Sequence, residues 1–258
     1  MTRKPKPKTI DTLRREIDKI DDKLHDLVMK RGEIMQSILV AKGTDAATAT
    51  PATTLKPARE AAILRRLAAR HAGTLPQTVI ARIWRELIAT ALRLQTSFSV
   101  FVYNGDDVTD YWDLARNHFG SWAPMTGAKT APQVVHGCAR DPKAIGVLPM
   151  PGAEGPRSGP AWWTQLASTG EKGLRIIARL PFSSDGDANQ KSTSALVLAT
   201  AAPEDTGDDS TLLIVEAGAD VSRTRLLGLF KESGFEVQIV DSENEAKKGT
   251  QALYLVQA

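Results

Sequence analysis

The chain has 258 residues, 42% of them apolar and 24% charged. That is the mix of a globular protein with material for a core of its own. Its single cysteine, Cys138, makes no internal disulfide and excludes zinc-ribbon and iron–sulfur frameworks, and no apolar run reaches the roughly 18 residues needed to span a bilayer. The net charge of +3 divides unevenly, with +9 over residues 1–97 and −6 over residues 98–258. A basic unit suited to anionic partners therefore precedes an acidic one.

The opening MTRKPKPKTI is basic but lacks the apolar stretch of a signal peptide, so it reads as a solvated tail on a cytoplasmic protein. Residues 9–42 follow as one long helix. Ile10, Leu13, Ile17, Ile20, Leu24, Leu27, Ile34, Ile38 and Ala41 recur at 3-4-3-4 spacing, a heptad seam. Such a helix, roughly 50 Å long, cannot bury its stripe alone and must pack against later helices or a second chain. Residues 43–57 are rich in Thr, Ala and Pro and read as a loop. A second helix starts near Pro57 and stops at Gly73. A third runs from Pro76 to about Thr96, with Val79, Ile83, Leu87, Ala91 and Leu94 as its apolar face, widened by Ile80, Trp84 and Ile88.

Beyond Ser97 the texture becomes mixed. SVFVY (99–103) reads as a strand and WDLARNHFG as a helix ending at Gly120, while PQVVHGCAR is ambiguous. Strands are expected within 144–151, 174–180 and 194–200. A Gly/Pro loop (152–161) leads to Trp162 and Trp163, which are read as its packing anchor, and a polar loop covers 183–193. Asp106, Asp107 and Asp110 read as loop and helix-start residues, not a metal site. An acidic linker over 202–210 precedes a β-α-β-β pattern to the end. The expected class is α+β: an all-α segment, 1–97, then an α/β region in two pieces, 98–204 and 205–258.

The informative residues are polar ones on apolar faces. Arg31 occupies a seam position. Lys42, eleven residues on, projects within roughly 20° of it and about 16 Å along the axis, so two cations could close on one small anion. Arg14 lies roughly 25 Å before Arg31 and points elsewhere, so it would serve a ligand held mostly by another chain, which argues for a dimer with shared sites. Glu60 precedes Leu64 and Leu67 on one face, with Arg59 beside it, and Gln95 shares the stripe of Ile88 and Ala91. Buried charges are costly unless paired. One reading has Glu60 neutralise the cations or fix helix register; cations outnumber anions in the set, which suggests an anionic ligand. No metal-ligand spacing, glycine-rich phosphate loop or nucleophile–base pair is present. The set suits catalysis by positioning and electrostatics.

LRREIDKIDDKLHDLVMKRGEI, the lysine of VAK, PAREAAILRRLAARH and IWRELIATALRLQ resemble, in order and spacing across residues 11–97, the all-helical chorismate mutase family. The resemblance implies a three-helix chain in an intertwined homodimer that rearranges chorismate to prephenate without a cofactor. Arg31 and the partner's Arg14 would hold the substrate's two carboxylates. Lys42 and Gln95 would donate to the ether oxygen, and Glu60, with Arg59 adjacent, would accept from the ring hydroxyl. Two positions depart from the family pattern: Lys56 stands where Asp is usual, and Ala91 where Ser is common.

The second part is similar, more loosely, to the first lobe of prephenate dehydratase, through FSVFVYNGDDVTDYWDLARNHFGSW and AIGVLPMP. Met150-Pro151-Gly152 stands where that family has Glu-Asn-Ser, Thr193-Ser194-Ala195 is no match for its Thr-Arg-Phe, and the region is short for a second lobe. No dehydratase activity is therefore expected. The last β-α-β-β resembles part of an ACT-type module, with Gly218-Ala219-Asp220-Val221 where an amino acid would bind. The expected function is a chorismate mutase with a degenerate extension. The alternatives are a bifunctional mutase–dehydratase and a non-catalytic dimeric sensing module. Neither nucleic acid nor membrane is an expected partner.

Overall fold

The computed structural model describes residues 8–43, 45, 47–105, 110–153, 159–168, 173–181, 193–218, 220–244 and 251–258. The basic tail before Lys8, Asp106, Asp107, Ala219 and most of the polar loop at 183–193 lie outside the described residues. The chain divides into two compact units, Met1–Thr48 and Ala49–Ala258.

The first unit is one helix, α1 (Ile10–Ala41). It starts where the sequence places a cap: the Thr9 side chain accepts from the Thr12 N–H at 3.3 Å. No residue of α1 is buried. The predicted seam stands in the open, from Leu13 through Leu24 to Ile34 and Ile38.

The second unit opens with a single helical turn, α2 (Pro51–Thr54), inside the predicted loop. Then come α3 (Pro57–Ala69), with Pro57 at its first position, and α4 (Gln77–Gln95). The buried side of α4 differs from the expected one. Arg85, Ile88, Ala89, Ala91, Leu92 and Gln95 are buried, whereas Val79, Ile83 and Leu94 are exposed. The reason is what α4 packs on. The Glu86 carboxylate accepts from the Ser121 N–H at 3.1 Å and from its hydroxyl at 2.8 Å. Arg93 donates to the Phe98 carbonyl at 3.0 Å and lies over the rings of Phe98 and Trp122, at 5.7 and 5.5 Å. The α/β part thus claims the Arg85–Leu92 stripe, and the more apolar row stays outward.

Strand β1 (Ser99–Tyr103) leads through α5 (Asp110–Phe119), β2 (Met125–Ala128), α6 (Ala131–Arg140) and β3 (Ala144–Pro149). After a 3-10 helix at Trp162–Ser168 come β4 (Arg175–Leu180) and β5 (Ala195–Ala199). They make a five-stranded sheet of order β2-β1-β3-β5-β4. Pairing is parallel among β2, β1 and β3, and antiparallel at β3–β5 and β5–β4. β3 and β5 are buried along their whole length, as central strands covered on both faces should be. The ambiguous PQVVHGCAR is helical. Its Thr130 cap accepts from the Gln133 N–H, and Val134, Val135 and Cys138 face the core.

β6 (Leu212–Gly218), α7 (Arg223–Glu232), β7 (Gln238–Asn244) and β8 (Gln251–Gln257) give the predicted β-α-β-β, as a second sheet of order β6-β8-β7. Alternation along β8 explains its two-sided burial. Ala252, Tyr254 and Val256 pack with Leu226 of α7, while Leu255 joins the main core. Trp162 and Trp163 are buried, and Trp163 Nε1 donates to the Asp241 carboxylate at 3.0 Å. The expected packing anchor thus fastens β7 to the main core. The whole chain is α+β.

Candidate active site

Three of the six predicted site residues belong to the first unit and three to the second. On α1, Arg14 is exposed and stands 3.8 Å from the Asp11 carboxylate one turn away. Arg31 is half-buried, and that burial pulls its guanidinium below the ordinary arginine range. Lys42 caps the helix, its N–H donating to the Ile38 carbonyl at 3.0 Å, with an exposed side chain. Arg31 and Lys42 are thus held on one continuous helix, as their spacing requires.

In the second unit, Arg59 and Glu60 sit in the first turn of α3, and Gln95 is the last residue of α4. Arg59 is exposed; Gln95 is buried. Glu60 does not meet Arg59. Its carboxylate accepts from Arg85 Nη1 of α4 at 2.6 Å, both side chains being largely buried. Burial raises the Glu60 carboxyl above its usual range, against the pull of Arg85, and nearby Glu204 pushes the same way. Burial likewise lowers Arg85. The Arg85 charge also reaches His118 of α5, which is half-buried and edge-on to Phe119 at 4.6 Å. Desolvation and the Arg85 charge hold His118 well below the ordinary histidine range, so it is neutral at pH 7.

Arg85 is the residue that the sequence reading missed. The signal was present, because Arg85, Ile88, Leu92 and Gln95 share one helical stripe. The neighbouring row, Val79 to Leu94, is more apolar and by periodicity alone reads as the buried face. Glu204 is the other. It lies in the acidic linker, yet its carboxylate receives Lys56 Nζ at 2.8 Å and the Ala58 N–H at 3.3 Å. Lys56 thus brings a carboxylate from far along the chain to the start of α3.

Within the second unit Glu60 offers a carboxylate and Gln95 an amide, and within the first α1 carries guanidinium and ammonium groups, the donor types that suit an oxygen-rich anion. Among the described residues, no helix is long and apolar enough to cross a membrane.

Residues 13–96 match the family model for chorismate mutase type II. Three curated relatives are each named "Bifunctional chorismate mutase/prephenate dehydratase". That of Pseudomonas aeruginosa is 27% identical over 141 residues, 55% of this chain and 38% of the relative. That of Stutzerimonas stutzeri is 30% identical over 111 residues, 43% and 30% of the two chains. That of Neisseria gonorrhoeae is 32% identical over 126 residues, 47% and 33%. The chain therefore spans about a third of the length of these relatives. The 141-residue match is longer than the family segment, so similarity extends into the α/β part. No solved structure matches. The helical segment 13–96, within which all six expected site residues fall, matches the chorismate mutase type II model and is followed by a mixed α/β extension.

Proposed function

We propose that the chain is a chorismate mutase that rearranges chorismate to prephenate as a cytoplasmic homodimer. The observation that carries the reading is the family match over 13–96, which falls on the segment whose polar residues are out of place on apolar faces. In this reading Arg31 and Arg14 of the partner subunit grip the two carboxylates of the substrate. Lys42 and Gln95 donate to the ether oxygen, where charge grows as the C–O bond breaks, and Glu60 accepts from the ring hydroxyl beside Arg59. The work is enforcement of a compact conformer plus donors aimed at the transition state, with no covalent step. The unburied seam of α1 supports the dimer, since a stripe of that length is a poor surface to leave in water.

The test is incubation of the full chain with chorismate, quantifying prephenate and phenylpyruvate, beside Arg31→Ala. Prephenate alone, reduced at least about a hundredfold by loss of a charge-assisted clamp, is expected. Unchanged turnover in Arg31→Ala removes the site assignment, and no chorismate consumption removes the enzyme. The relatives' names favour a second reading, a mutase that is also a dehydratase. Phenylpyruvate above the spontaneous background would establish it, against the missing Glu-Asn-Ser and Thr-Arg-Phe motifs.

A further inference from the structure

The segment between the two sheets is built onto α3 more firmly than a linker needs to be. Lys56, the cap position of α3, has no side-chain acceptor to offer the helix and makes no side-chain cap. Glu204 supplies one from almost 150 residues away. One carboxylate oxygen receives Lys56 Nζ at 2.8 Å, and the other receives the Ala58 N–H at 3.3 Å. A carboxylate in that place satisfies an orphan N–H and sits at the positive end of the helix. Further along α3, Arg65 donates to the Thr206 carbonyl at 2.5 Å, to its hydroxyl at 3.0 Å and to the Asp208 carbonyl at 3.3 Å. The segment is stiff in its own right. Asp209 accepts from the Thr206 N–H and hydroxyl, each at 2.6 Å, and Asp205 accepts from the Gly207 N–H at 2.8 Å. Gly207, at φ 79°, takes the left-handed turn this requires. Two anchors about two helical turns apart therefore fix both the position and the rotation of α3.

Arg59 and Glu60 occupy the turn that Glu204 holds. We propose that Glu204 is a positioning residue, which sets the first turn of α3 and with it the placement of Arg59 and Glu60. This inference rests on the chorismate mutase reading of those two residues. Its electrostatic side is specific. The charges facing Glu60 are Arg85 from α4 and Glu204 from the linker. Lys56 pairs with Glu204, and the Arg85 charge also reaches neutral His118. Glu204 favours the protonated Glu60, whereas accepting from a ring hydroxyl needs the carboxylate. Removing the charge at 204 therefore makes Glu60 ionise at lower pH.

The experiment is the pH profile of kcat/KM on chorismate for the full chain and for Glu204→Gln, Glu204→Ala, Glu204→Lys and the double variant Lys56→Glu/Glu204→Lys. Glu60→Ala serves as the site control, and thermal unfolding is recorded for each. Glu204→Gln keeps an acceptor of the same shape, so it stays within about twofold of the wild type at pH 7.5, with the acid limb moved to lower pH. Glu204→Ala and Glu204→Lys lose about three- to tenfold. The double variant, which returns a carboxylate to the start of α3, recovers most of the loss. A purely structural salt bridge would change the melting temperature and leave the limb in place. Active wild type, impaired Glu60→Ala and Glu204 variants with an unmoved limb and no rescue would overturn this proposal alone. A wild type that does not consume chorismate overturns it together with the reading beneath it.

Discussion

Glu60 shows how one side chain carries two demands. In the proposed role it lies in a dry place to bind a ligand hydroxyl tightly, and dryness alone would neutralise it. Arg85, at 2.6 Å, opposes that burial, and breaking such a pair by removing one partner costs about 3–5 kcal/mol. The charge of Arg85 is felt in turn by His118, which burial already keeps neutral. The sign of the pH effect follows. The folded-state pKa of His118 is depressed below its ordinary 6.5, so between those values the unfolded chain binds a proton that the folded chain does not. Its contribution to stability is complete above about pH 6.5 and is lost as pH falls through that value towards the folded one. Urea unfolding from pH 7.5 downwards should therefore show a loss with a slope approaching about 1.4 kcal/mol per pH unit, and His118→Gln should flatten it. An equal slope in the variant would place the acid sensitivity elsewhere.

Elements were legible where periodicity was long. The seam spacing located α1 to within a residue or two, and the β-branched run SVFVY located β1. The short strand β2, Met-Thr-Gly-Ala, carries no such pattern. It is a strand because β1 offers it a parallel edge from Val100 to Tyr103, a tertiary cause that no local window contains. The same holds for the site. Glu60 and Gln95 were visible as polar residues on apolar faces, but the choice of Arg85 as partner depended on which row of α4 the extension covers. That row leaves Ile83 and Leu94 outward, and no residue of α1 is buried. Sedimentation of the full chain should give a dimer. Leu24→Glu, which sets a carboxylate in the middle of the seam, should give a monomer with mutase activity reduced at least about a hundredfold, because burying that charge costs several kcal/mol. A Leu24→Glu chain that stays dimeric and active would show that α1 is not the interface.

At the scale of the whole molecule, the α/β extension is structural support for α3 and α4 whatever else it does. The contacts of Glu86 with Ser121 and of Arg93 with Phe98 join α4 to the first sheet, and the linker joins α3 to the second. Glu86→Ala deletes an acceptor that serves two donors of Ser121, which should cost about 1–3 kcal/mol and lower the melting temperature by a few degrees. A melting temperature within a degree of the wild type would mean that this junction is held by apolar packing alone. The domain limits suggested by composition, at 97 and 204, mark changes of texture. In the folded chain α3 and α4 belong to the same compact unit as both sheets.

Trp122 gives that junction an optical signature. It is 59% exposed and lies 5.5 Å from the Arg93 guanidinium, whereas Trp162 and Trp163 are sealed in the core. Of the five tryptophans, Trp122 is thus the exposed indole, Trp84 and Trp112 are half-buried, and Trp162 and Trp163 are a shielded pair. Acrylamide should extinguish Trp122 most readily and Trp162 and Trp163 least, so the component that a Trp122→Phe variant loses reports loosening at the helical boundary in the native protein, without a label.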